Sequence, residues 1–122
     1  MRLQERAVYY GYLHLEKPQP AAQHAAYDAL VCWCVREGRY LSTVFRDIGI
    51  STSSLQRPGL TRLLDALTLP ESAGAVVLDR THLSRSAPVA KRLTRAIQRT
   101  GTELLVVEEI LTKHPATEHP PP

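Results

Sequence analysis

The hydrophobic pattern changes period several times along the chain, and each change marks an element. Ala7 to Leu15 (AVYYGYLHL) is aromatic and rich in strand formers, which predicts a strand. Lys17-Pro-Gln-Pro20 breaks it. Ala21 to Glu37 is Ala-rich and closes at Gly38, which predicts a helix with glycine just past its end. Arg39 to Arg46 predicts a second strand, and Asp47 to Gln56, rich in Ser and Gly, a loop. Pro58 suits a helix start, and Leu60, Leu63, Leu64 and Leu67 recur at i, i+3, i+4, i+7 before Pro70 stops the pattern. Ala75 to Asp79 is a short apolar run of the kind a parallel sheet buries on both faces. Ser86 is placed to cap a third helix, with Val89, Leu93 and Ile97 as its apolar stripe and Gly101 as its end. Glu103 to Glu108 predicts a fourth strand.

Strands alternating with helices of this length predict an α/β fold: three layers, with a mainly parallel four-stranded sheet flanked by helices. The expected domain covers residues 1–111. Residues 112–122 are polar, end in three prolines and are expected to hold no fixed structure. Parallel sheets bind ligands beyond the carboxyl ends of their strands, which singles out His14–Lys17, Asp47–Arg57 and Asp79–Arg85.

Composition changes this picture only modestly. The chain has 122 residues, 43% hydrophobic and 22% charged, which fits one ordinary globular domain and excludes a fibrous or mainly disordered chain. No apolar run reaches the roughly 18 residues a spanning helix needs, and Met1 to Ala7 is too polar for a secretory signal, so a cytoplasmic protein with no membrane partner is expected. Fifteen Lys and Arg against 12 acids give +3, which permits a phosphate-bearing partner without requiring one. Cys32 and Cys34 point to different faces of a helix, which disfavours a disulfide between them, and buried, inert thiols are expected. The five histidines do not fall at metal-site spacing around them, so no metal and no cofactor is expected. Trp33, with Leu30 and Tyr27, is expected in the core. Asp79 invites comparison with phosphorylated receiver domains, but the chain lacks the acidic pair after the first strand and the lysine after a later one.

Three fragments, in order and spacing, resemble the catalytic domain of the serine recombinases (the resolvase/invertase family) from about Val8 to Glu109. The most specific is Phe45-Arg-Asp47, a Ser-rich loop and Arg57-Pro-Gly-Leu60. The second is Leu83-Ser-Arg-Ser86 after the third strand, similar to the family's D-R-L-S-R-S. The third is Tyr10-Gly-Tyr-Leu-His14, at the place of the family's Y-x-R-V-S. The resemblance implies a domain of DNA strand exchange, in which a serine attacks the scissile phosphate while arginines hold it. Those residue types suit the chemistry, because the developing phosphorane charge calls for cations and arginine's fork reaches two oxygens.

The carry-over is incomplete. The nucleophile's place holds His14, the arginine two residues before it is Tyr12, and the Asp-Arg pair falls on Thr81 and His82. Asp47, Arg57 and Arg85 survive. The chain is therefore expected to be a stand-alone recombinase-like domain that does not itself cleave DNA, a pseudoenzyme. The alternative is a regulatory module that acts on a full-length recombinase or another phosphate-bearing ligand. His14 is either a substitute nucleophile or a histidine that replaced serine at a strand end. Ser51, Ser53, Ser54, Ser84 and Ser86 read as turn formers and caps. Arg57 and Arg85 either bind an anion or, for Arg57, form an ion pair with Asp47. Lys91, Arg92, Arg95 and Arg99 give the third helix a basic face, either solvated or in contact with phosphates. Expected partners are DNA, held weakly and without sequence preference, and a second copy or a full-length recombinase.

Overall fold

The computed structural model describes residues 7–51 and 56–113. The chain runs β1 (Val8–Leu15), α1 (Pro20–Arg36), β2 (Tyr40–Ile48), α2 (Pro58–Ala66), β3 (Ser72–Val77), a 3₁₀ turn (Arg80–His82), α3 (Ala87–Arg99), β4 (Glu103–Val106) and α4 (Val107–Lys113). The four strands form one parallel sheet in the order β2-β1-β3-β4.

β1 lies between β2 and β3 and is buried along nearly its whole length, as its uninterrupted run of aromatic and aliphatic residues requires. Its alternate residues face opposite layers. Val8, Tyr10 and Tyr12 meet Leu60, Leu63 and Leu67 of α2 and Ala90 and Ile97 of α3. Tyr9 and Leu13 meet Leu30, Trp33 and Cys34 of α1 and Val107 of α4. The chain thus leaves β1 toward one face and β3 toward the other. That reversal falls between β1 and β3, the place in open α/β sheets beyond whose strand ends ligands usually bind.

The helix boundaries follow local chemistry. Pro20 and Pro58 occupy the first turns of α1 and α2, and Gly38 (φ +68°) and Gly101 (φ +88°) take the left-handed conformation beyond α1 and α3. Ser86 caps α3 as expected, its hydroxyl accepting from Val89 N–H. Gly59 is dictated by contact: a Cβ there would sit 2.5 Å from the Arg46 carbonyl oxygen, so only glycine lets α2 start directly against β2.

Several boundaries differ from the sequence expectations. Asp47 and Ile48 belong to β2 rather than to the loop, because they pair with His14 and Leu15 of β1. β3 begins at Ser72, and Asp79 lies past its end, where it caps the 3₁₀ turn. The fourth strand stops at Val106, and Val107–Lys113 is helical, so Thr112 and Lys113 continue a helix where a polar tail was expected. The rest of that tail, and Ser53 and Ser54, lie outside the described residues. On α3 the innermost residues are Ala90 and Ile97, with Leu93 packed beside them and Val89 only half-buried. On α1, Cys34 is buried but Cys32 is exposed, and Tyr27 is exposed beneath the Arg46 guanidinium, 5.7 Å from its ring centre. Among the described residues, no helix is long and apolar enough to cross a membrane.

Candidate functional site

The carboxyl ends of β1 and β2 bring His14 and Asp47 side by side, since they are partners in the parallel ladder. The first turn of α2 adds Arg57, and the 3₁₀ turn after β3 adds His82. All four are buried. Of positions 14, 47, 57 and 85, expected around one anion-sized hollow, the first three converge, as an internal network rather than an open hollow, and Arg85 does not join them.

Asp47 is its centre. Helix α2 has no side-chain cap of its own, because Arg57 stands at the capping position. Asp47 supplies the cap from another element: Oδ1 accepts from Gly59 N–H at 2.7 Å and Oδ2 from Leu60 N–H at 2.9 Å. Oδ2 also accepts from the Tyr12 hydroxyl at 2.6 Å. That hydroxyl in turn accepts from Arg57 Nη2 at 3.2 Å. The Asp47–Arg57 ion pair considered above is absent as a direct contact, and a tyrosine links the two groups instead. Burial, and then the bond to Asp47, push the Tyr12 phenol well above its ordinary pKa, so it stays a neutral donor.

Arg57 also donates to backbone from both terminal nitrogens. Nη1 donates to the Leu83 carbonyl at 2.6 Å and Nη2 to the His82 carbonyl at 3.1 Å. The guanidinium therefore fastens the segment after β3 onto the start of α2. Nε is buried with no hydrogen-bond partner among the described residues.

The two histidines have assigned roles. His82 Nδ1 accepts from the backbone N–H of His14 at 2.9 Å, so in the neutral ring the proton sits on Nε2. His14 Nε2 meets the Ile50 carbonyl, which can only accept, so it too carries its proton there. Burial lowers both pKa values below the usual 6.5. Arg57 adds to this at His14, and at His82 the opposing pull of Asp79 is outweighed. A depressed folded-state pKa means that folded chain binds fewer protons, so stability present above about pH 6.5 falls as pH drops through the folded values. The urea midpoint is expected to be lower at pH 5 than at pH 7.5. His82→Asn, whose Oδ1 replaces the Nδ1 acceptor without titrating, is expected to shrink that difference. An unchanged difference would exclude His82 as its source.

Arg85 stands apart. Its side chain is 72% exposed and approaches Glu16 only to 3.8 Å. Arg92, Arg95 and Arg99 are exposed along α3, in line with their sequence phase. Ser84 is buried and accepts from Ser86 N–H, a turn role. Among the described residues, no three His, Cys, Asp or Glu side chains gather as metal ligands would. Sequence reasoning missed Tyr12 as the link between acid and arginine. Its only signal was that Tyr12 shares a strand face with His14.

The fold places the chain among a defined class of proteins. It superposes on the N-terminal catalytic domain of TP901-1 integrase with a TM-score of 0.76 at 20% identity, covering 84% of this chain and 79% of that one. It matches the C-terminal catalytic domain of ISC1926 TnpA, an IS607-like serine recombinase, with a TM-score of 0.74 at 17% identity, covering 88% and 77%. A resolvase family site-specific recombinase from Streptococcus pneumoniae gives 0.69 at 13% identity, covering 85% and 74%. No curated protein matches the chain. The family profile "Resolvase, N terminal domain" matches residues 16–119, and the chain belongs to that family.

Proposed function

We propose that this resolvase-type domain takes part in site-specific recombination as a DNA-associating domain that does not itself cut the strand. The observation that carries this reading is the state of position 14. It holds histidine rather than the serine the resemblance calls for, and the ring is buried against the Ile50 carbonyl. A histidine that is 6% exposed and held by the Ile50 carbonyl presents little surface for a phosphate to reach. The arginine two residues earlier is replaced by Tyr12, whose hydroxyl serves Asp47. Arg57 is occupied by two backbone carbonyls, whereas Arg85, Arg92, Arg95 and Arg99 are among the exposed cations open to an external anion.

The test is direct. Supercoiled DNA incubated with the purified chain and then treated with denaturant and protease is expected to show no nicks and no covalent protein adduct. A DNA–protein adduct that disappears in His14→Ala would overturn the reading and make His14 the nucleophile.

A further inference from the structure

An open groove of about 580 Å³ runs between the 3₁₀ turn and one flank of α3, separate from the buried His14–Asp47–Arg57 network. Four cations line it: Arg80, Arg85, Lys91 and Arg95. No acidic residue does. Arg80 is already spent, since it forms a two-pronged pair with Glu109 and donates to the Thr94 hydroxyl. Lys91 and Arg95 have no carboxylate partner among the described residues, and Arg85 has only the long contact to Glu16. Two cations without a carboxylate partner, and Arg85 with only that long contact, thus face one concavity.

The remaining lining indicates what accompanies the anion. Ala87 and Ala90 present small methyl groups from successive turns of α3, and Thr81 and Gln98 supply hydrogen-bonding groups at the edges. None of the exposed large hydrophobics (Tyr27, Val35, Tyr40, Leu69, Leu111) lines the groove. A docking helix or protein loop would lack the apolar anchors that supply most interface affinity. The volume lies in the range of small-molecule sites, roughly 300–1,000 Å³.

We propose that this groove is a binding site for a terminal phosphate carried on a nucleoside, with Arg85, Lys91 and Arg95 around the phosphate and the base over the exposed Ala87. Arginine engages two phosphate oxygens through its planar fork, and lysine adds a point charge. A terminal phosphate presents more charge than a bridging diester, and that favours a site on which three cations converge. The same chemistry is offered by a free nucleotide and by the 5′-phosphorylated end of a nucleic-acid strand. The groove is independent of the cleavage reading, since none of its residues belongs to the buried network.

The experiment titrates the full chain with 5′-AMP, with a 5′-phosphorylated single-stranded oligonucleotide and with the same oligonucleotide lacking that phosphate. Saturable binding of 5′-AMP, or of the phosphorylated oligonucleotide in preference to the unphosphorylated one, is expected. The first result assigns the free nucleotide as ligand and the second a strand end. Lys91→Glu/Arg95→Glu is expected to weaken binding by about tenfold or more, the usual scale for lost charge-assisted bonds. Arg36→Glu/Arg62→Glu, an equal change in net charge on other helices, is expected to leave it within about twofold, as a screened distant charge should. Circular dichroism checks that each variant is folded. The proposal is overturned if 5′-AMP does not bind saturably and the two oligonucleotides bind equally or not at all, or if a folded Lys91→Glu/Arg95→Glu chain keeps its affinity.

Discussion

Asp47→Ala is expected to lower the unfolding free energy by about 4 kcal/mol, on the basis that hydrogen bonds to a charged group contribute roughly 1.5–3 kcal/mol each and a lost helix cap about 1. The carboxylate is 2% exposed and accepts from Gly59 N–H, Leu60 N–H and the Tyr12 hydroxyl. Removing it leaves three donors without an acceptor in a closed space. The losses do not add in full, because water can enter the space the carboxylate vacates, so the expected value lies below the sum of the separate bonds. Asp47→Asn is expected to fall in between. Its amide oxygen can still accept, but its NH₂ faces one of the donors Asp47 now satisfies. Urea unfolding at neutral pH measures both. A loss below about 1 kcal/mol, the scale of a single neutral hydrogen bond, would mean that α2 is capped by something other than Asp47.

This dependence on a distant acid explains why part of the site was legible in the sequence and part was not. The strand of Tyr10, Tyr12 and His14, the Leu stripe of α2, Ser86 as cap and the parallel sheet all follow from patterns within a dozen residues. The end of β2 does not. Ser and Gly after Asp47 signal a loop, yet the pairing of Asp47 and Ile48 with β1 extends the strand across that signal. The β4–α4 junction was hidden for a different reason. Leu104 to Val107 is uniformly apolar, and a run so short carries no period that separates strand from helix. In α1, alanines distributed around the helix blur the phase of the buried stripe, so Tyr27 and Cys32 were placed inward when only Leu30, Trp33 and Cys34 are fully buried. The tyrosine bridge between Asp47 and Arg57 spans three elements and leaves no mark in any one of them.

The same geometry separates structural from ligand-binding arginines, two roles that residue type alone leaves merged. Arg57 is 5% exposed with both terminal nitrogens on protein acceptors, while Arg85 is exposed and lines the groove. Two layers therefore lie beside each other: an inner network that joins β1, β2, α2 and the 3₁₀ turn, and an outer set of exposed cations along the separate groove. The inner layer has a structural task whatever position 14 can do chemically, because Asp47 caps α2 and Arg57 ties its start to the segment after β3.

Arg57→Leu tests that separation. The substitution leaves the His82 and Leu83 carbonyls without their donor and removes the cation that the Tyr12 hydroxyl faces. Breaking a buried charged network by removing one partner typically costs about 3–5 kcal/mol, and a loss in that range is expected from urea unfolding. Leucine recovers part of the apolar packing, which places the expected value toward the lower end. Affinity for 5′-AMP or the 5′-phosphorylated oligonucleotide, measured at a temperature where the variant is fully folded, is expected to match that of the unaltered chain. If the folded variant instead loses phosphate affinity as strongly as Lys91→Glu/Arg95→Glu does, Arg57 is itself an anion ligand and the two layers are one site.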